Sequence, residues 1–475
     1  MTGIYLAGAF GLSALLFFNR SRFINYLLVV VFLLLQIGFT IYECLHINKT
    51  ELNYFTADSL AILLLVTSTI ISIPAMYHSY VYLSSKQDNP RHTAIYFAAM
   101  TALLTAISAV YLSNHIAVTW IFVELTTLSA SALIYHRRNS RSLEGTWKYV
   151  FVCAISIMLV FIGILFVSFA LPKAGTDDLS FNNLFRKASE LNQFWLRLAF
   201  IFIFTGFTAK LGLVPMYTAG IDAKDKAPSP AGALLSSVLM NVGFVGIFRF
   251  YVVVAHTSIH SWANHVILIS ALLSIFVATV YMTKVKNIKR MFAYSSIEHA
   301  GIVMLGLVAG GVGYYAAVLH IILHAFVKSS LFFQQGQIYR IYKSKSIYDV
   351  GNYFKYNLTG SIVVLLAFFF ATAMPPSGLF ISEFLIFLSL FEANYLWLLI
   401  VVMLLLTVII WAFGKNIFKL LFSPPVDFND DEVERINPAE SISQFILLGL
   451  VVYLGLNPPR EFVTLIREAV KNLPQ

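Results

Sequence analysis

The sequence predicts an all-α polytopic membrane protein with about fourteen transmembrane helices. Three observations predict it. Apolar residues make up 59% of the 475-residue chain, and the mean hydropathy is +0.79. Charged residues make up 12%, about half the share usual in soluble domains. Those charges fall mostly between apolar runs of about 20 residues, the length a helix needs to cross a bilayer.

In chain order the spans centre on 3–18 and 23–45, parted by NRSR, and on 58–84, which follows KTELNYFTAD. Spans 93–112 and 114–135 are parted only by Ser113 and Asn114, and 149–171 follows the basic stretch RRNSRSLEGTWK. The rest are 197–217, 229–254 (opened by APSP), 264–284, 291–310, 312–337, 359–389, 395–420 and 440–457. The start MTGIYLAG lacks a basic n-region, so the first span reads as an uncleaved helix. Cys44 and Cys153 sit alone in apolar runs, with no CxxC and too few thiolates for a cluster; they read as small buried hydrophobes.

The net charge of +9 reads as topology signals in short loops, not as a nucleic-acid surface. Loops sharing one side hold most Lys and Arg, among them Lys86, Arg137, Arg141, Lys224, Lys226, Lys289, Arg290, Lys343 and Lys345. Lys49, Lys173, Arg186 and Arg249 fall on the other side, and the bias predicts an even number of spans with both termini outside. Polar segments 172–195 and 422–438 are too short for a catalytic domain, and no Gly-rich phosphate loop is present.

Two spans are interrupted, one at KLGLVP (Gly212, Pro215) and one at ATAMPPSGLFISEF (Pro375, Pro376, Gly378). Paired broken helices point to an inverted-repeat transporter core. The breaks lie five spans apart, an odd offset that inverts the second unit relative to the first.

The chemistry must then come from charges inside the spans, each costing about 2.5–3.5 kcal/mol at a helix centre. Glu124 lies midway along its span, and Lys210 precedes the first break. Burial favours the neutral form of each group and proximity favours the charged pair, so joining or parting them moves a proton. His320, His324 and Lys328 recur every fourth residue and form one helical stripe. Two His at i, i+4 suit zinc, but no HExxH glutamate or third ligand is nearby, so no metal is expected. Glu383 follows the second break, where a helix dipole would stabilise a carboxylate. Ser295 and Glu298 fit a capping box opening the tenth span, leaving Glu298 and His299 as secondary candidates. Asp58 and Glu43 near span ends read as interfacial, solvated carboxylates.

These residues lie in WIFVEL, KLGLVP…APSPAGALLSSVLMNVGFVGIFR, NIKRMFAYSSIEHAGI, LHIILHAFVKSSLFF and PPSGLFISEFLI. Their order and spacing resemble the antiporter-like subunits of respiratory complex I, Mrp cation/proton antiporters and energy-converting membrane hydrogenases. The match is densest over 115–390, and SIEH with GLFISEF looks nearest the hydrogenase-4 and formate hydrogenlyase type. The resemblance implies three leading helices (1–92), two inverted five-helix repeats (93–255 and 256–421) and a last loop, helix and tail (422–475). It implies that Glu124, Lys210, His320, His324, Lys328 and Glu383 carry ions, most readily protons.

One position departs from the family. Where relatives carry a lysine in the eighth span, this chain has Asn241, so Ser236, Ser237, Tyr294 or water would have to bridge. Tyr217 likewise stands where a histidine is common. The function implied is an ion-translocating subunit of a redox-driven complex in a bacterial-type cytoplasmic membrane, with no redox cofactor of its own. Iron–sulfur and nickel–iron centres are expected on partner chains: other membrane subunits and a soluble redox module. Competing readings are an Mrp-type antiporter subunit without redox coupling, the membrane partner of an inorganic-carbon uptake system, and a scaffold without conduction.

Overall fold

The computed structural model describes residues 1–84, 89–172, 178–425, 428 and 433–474. Lys86, Lys173 and part of the 422–438 loop lie outside the described residues. The described chain is helical throughout, save one hairpin of β1 (Thr50–Glu51) and β2 (Phe55–Thr56).

In order the helices are α1 (Thr2–Phe18), α2 (Arg22–Leu45), α3 (Ser59–Ser84), α4 (Pro90–Leu112), α5 (Ile116–Ile134) and α6 (Ser140–Ala170). Next come α7 (Phe181–Arg186), α8 (Gln193–Leu211), α9 (Thr218–Lys226), α10 (Ser229–Ser236), α11 (Val238–Val254) and α12 (His260–Lys284). The last are α13 (Ile288–Ala309), α14 (Val312–Tyr342), α15 (Tyr353–Tyr356), α16 (Leu358–Ala371), α17 (Gly378–Glu392), α18 (Leu396–Phe422), α19 (Ile442–Leu456) and α20 (Arg460–Val470).

Among the described residues, twelve helical stretches are long and apolar enough to cross a membrane, α10 with α11 counting as one. At 17 residues α1 is shorter, as are the two halves α16 and α17. A count of fourteen is reached only by taking α1 and the α16–α17 pair as crossings.

Helix starts follow local capping chemistry. Asn139, Asn192, Asn287 and Ser377 each accept a hydrogen bond from an amide of the first turn of α6, α8, α13 and α17. The Asn139–Ser142 capping box starts α6 nine residues before its apolar run, so the helix projects beyond the oily segment. The corresponding expectation for α13 fails. Ser295 and Glu298 lie in its second and third turns, because Asn287 has already capped the helix. No capping box forms there.

The interior is built around α10–α11, α13 and α14, whose apolar segments are buried on every side, while α2, α6, α18 and α19 keep apolar faces outward. Close helix approach depends on small residues. A Cβ on Gly206 of α8 would come within 2.5 Å of the Ser156 carbonyl on α6, and one on Gly163 of α6 would meet Ile203 at 2.6 Å. These contacts fix α8, and hence Lys210 at its end, against α6.

Both expected breaks are present. After α8 the chain turns through Gly212 at φ +89°, a conformation glycine adopts without cost. Between α16 and α17 residues 372–377 leave the helix, and the Val214–Pro215 and Pro375–Pro376 peptides are cis. A third break, at Ser237 between α10 and α11, was not legible as Pro or Gly. Elements read as loop or tail are also helical, among them α7 in the 172–195 segment, α9, and α20, an amphipathic helix that buries Ile466 against the α3–α14 side.

Candidate functional site

The α8 terminus places Lys210 in the last turn, where the carbonyl end of the helix favours a cation. Its Nζ donates to Thr127 Oγ1 on α5 at 2.7 Å and to Tyr149 Oη on α6 at 3.2 Å, and it lies 5.3 Å from the Tyr149 ring centre. Glu124 lies three residues before Thr127, so it sits one turn away on the same helix. It is half-buried, its Oε2 has no hydrogen-bond partner, and no Glu124–Lys210 ion pair is among those of the described residues. Acid and amine are therefore joined through Thr127 rather than paired directly. Neither Thr127 nor Tyr149 carried an ion-path signal in the sequence.

A second cluster lies between α13, α14 and α17. His320, His324 and Lys328 are wholly buried on one face of α14. The neighbouring α13 runs the other way and opposes them with its own stripe of Ser295, Glu298 and His299. Lys328 Nζ donates to Ser295 Oγ at 2.6 Å. His320 bonds His299 through Nε2 and Nδ1 at 3.0 Å, and through its other nitrogen it meets Ser382 Oγ of α17 at 3.0 Å. The His299 and His324 rings lie 5.0 Å apart. Ser382 adjoins Glu383, which is buried in the second turn of α17, beyond the first turn where the dipole acts.

Sequence reasoning missed Ser382 and gave Ser295 a different role. Several polar atoms in this cluster have no partner among the described residues: Glu298 Oε2, His299 Nε2 and both His324 nitrogens. Buried polar atoms of this kind are commonly met by ordered water.

The neutral position lies in the first turn of α11, just past the third break. Asn241 is fully buried and neither amide atom has a partner; Ser236 Oγ is likewise unpartnered. Ser237 Oγ bonds the Ala233 carbonyl of its own chain segment, and Tyr294 stacks on Tyr281 of α12 at 4.9 Å. Of the four residues noted around the gap, Asn241 and Ser236 thus keep free polar atoms.

The cations of α9 and the start of α13 are not simple solvated loop charges. Lys224 is 6% exposed and Lys289 is 1% exposed. Lys289 Nζ donates to the Ala227 carbonyl at 2.5 Å. Asp225 is buried among Lys226 at 2.8 Å, Lys345 at 3.2 Å and Arg290 at 3.7 Å. Burial pushes its carboxyl up, but Lys345, Lys226 and Lys289 hold it well below the usual carboxylate range. Glu43 also corrects the solvated reading, whereas Asp58 keeps a carboxylate 40% exposed. Glu43 is buried and accepts from Thr2, while Asp58 accepts from Arg249 at 2.8 Å and caps α3 through Ala61 N. Arg249 itself is buried and donates to the carbonyls of Tyr111 and Ser113.

A family model described as the membrane part of NADH:quinone oxidoreductase and Mrp antiporters matches residues 113–409, which hold every ion-path residue named above. The chain is 31% identical over 382 residues to a hydrogenase-4 component F homolog of Methylacidiphilum infernorum, 78% of each chain. It is 26% identical to NADH-quinone oxidoreductase subunit N 1 of Thermodesulfovibrio yellowstonii, over 86% of each chain. A subunit of an archaeal membrane-bound sulfane sulfur reductase shares its fold with a TM-score of 0.87 at 20% identity, covering 99% of this chain and 97% of that one.

Proposed function

Because this chain belongs to the NADH:quinone oxidoreductase/Mrp antiporter membrane family, as an antiporter-like subunit, we propose that it moves protons along a buried path from Glu124 to Glu383. The observation that carries this reading is the hydrogen-bonded run His299–His320–Ser382, which ends beside Glu383 in the buried interior of the bundle. Imidazoles pass a proton by exchanging tautomers, so a chain of them relays charge without moving a carrier.

On the entry side, Lys210 is held by Thr127 and Tyr149. When it releases Thr127 and approaches Glu124, the pair favours charge; when it withdraws, burial favours neutrality, so Lys210 passes its proton onward and Glu124 takes one up from the entry side. Residues 93–255 and 256–421 form the two repeats on this reading, with both termini outside. The chain holds no redox centre in this scheme. Electron transfer occurs on a soluble iron–sulfur module, with or without nickel, and membrane neighbours pass its energy to this subunit.

The test is pumping by the purified complex in proteoliposomes. Lys210→Ala is expected to abolish proton uptake per turnover at matched electron flux. Unchanged uptake would sink the Glu124–Lys210 assignment. Co-purification with Mrp-type neighbours and no iron–sulfur partner would favour the antiporter reading instead.

A further inference from the structure

The proposed path has a neutral position at Asn241, and α9 carries a buried lysine that the path has not claimed. Lys224 belongs to α9, the short helix between the first break and α10. Its sequence surroundings, DAKDK, look like a solvated loop, yet its side chain is 6% exposed. The neighbouring charges each have partners: Asp222 pairs with Arg290, and Asp225 with Lys226 and Lys345. Lys224 has no hydrogen bond or ion pair among the described residues. An unpaired buried ammonium costs stability, so its retention calls for another cause.

The position supplies that cause. Lys224 and Lys210 line one cavity, with Tyr149 of α6, Tyr217 and Gly220 at the start of α9, Leu239 of α11, and Ile297 of α13. About 20 Å³ of it is open to a water centre, enough for one or two waters. Toward the other cluster, the Lys224 carbonyl lies against Gly232, at a spot where a Cβ would also meet Phe332, one turn beyond Lys328. The Lys224 charge bears on both Lys328 and His324. Lys224 thus faces Lys210 across water-sized space and acts electrostatically on the central stripe.

We propose that Lys224 is the ionisable link between Lys210 and Lys328, doing from α9 what a lysine at position 241 would do from α11. This rests on the proton-path reading above. In each transfer Lys224 accepts a proton from the Lys210 side through the cavity and releases it toward Lys328, returning to its starting state, so no other reactant is needed.

The experiment compares Lys224→Met, Lys224→Met/Asn241→Lys and Lys210→Ala in the whole complex, reconstituted in vesicles. Lys224→Met should cut protons moved per turnover at least tenfold at matched electron flux. Adding Asn241→Lys should restore most of it, because the charge returns to the gap from the neighbouring helix. Since Lys224 has no acid partner to orphan, Lys224→Met should assemble with a Tm no lower than the parent.

A lowered Tm with no rescue by Asn241→Lys would make Lys224 a packing residue and overturn the proposal. Full pumping by Lys224→Met, with Lys210→Ala inactive, would overturn it and leave the proton path standing. Full pumping by Lys210→Ala would overturn both.

Discussion

Lys210 Nζ lies 2.7 Å from Thr127 Oγ1, one helical turn from the acid expected to be its partner. The hydroxyl can accept from the amine and donate to a carboxylate, so it can join the two groups without an ion pair. Thr127→Val removes both abilities at nearly constant volume. A hydrogen bond to a charged group contributes about 1.5–3 kcal/mol. Proton uptake per turnover should therefore fall tenfold or more, while Thr127→Ser stays near the parent. Equal uptake by Thr127→Val would exclude the hydroxyl as a link.

The histidine run makes a sharper claim about order. His320 touches both His299 and Ser382, whereas His324 bonds to neither. His320→Ala should therefore abolish pumping. Ser382→Ala should reduce it several-fold, since water can replace one hydroxyl more readily than an imidazole. A larger loss from Ser382→Ala than from His320→Ala in the same vesicle assay would reverse the assigned roles.

Asp225 lies within an arc formed by Lys226, Lys345 and Arg290. Its carboxyl is held below the usual range, so its contribution is present above the unfolded value of about 3.9 and is lost as pH falls through the folded one. Asp225→Asn should lower the Tm by a constant amount between pH 5 and 8. The gap to the parent should narrow only below about pH 4. A gap that closes near pH 6 would show that another group controls it.

Arg249 joins α11 to the start of α3 and the end of α4 through Asp58 and two main-chain carbonyls. Arg249→Met keeps the bulk but strands the Tyr111 and Ser113 carbonyls, each costing about 1–3 kcal/mol when unsatisfied. Thermal unfolding of the detergent-solubilised chain should show a clear drop in Tm. Asp58→Asn should show less, because its carboxylate is 40% exposed.

The sequence made the spans, both main breaks and the α14 stripe legible, because those depend on apolar length, Pro and Gly, and a four-residue period. It could not reveal that Ser295 faces Lys328, since a local S-x-x-E pattern also satisfies the capping rule. Only Asn287, eight residues earlier than Ser295, decides that the helix has already begun. Lys224 was hidden for a related reason. A run of alternating acids and lysines reads as solvated, and its burial comes from α6, α10 and α13 closing over α9.

The peptide that follows Lys210 has an anchor outside its own half of the chain. Val214 N donates to Ser274 Oγ at 2.9 Å, and the Val214 carbonyl accepts from Ser270 Oγ, both on α12. Helix α12 thus grips the turn that follows the amine. A tilt of α12 would carry that turn with it, as a lever carries its load, so the position of Lys210 answers to a helix far along the chain.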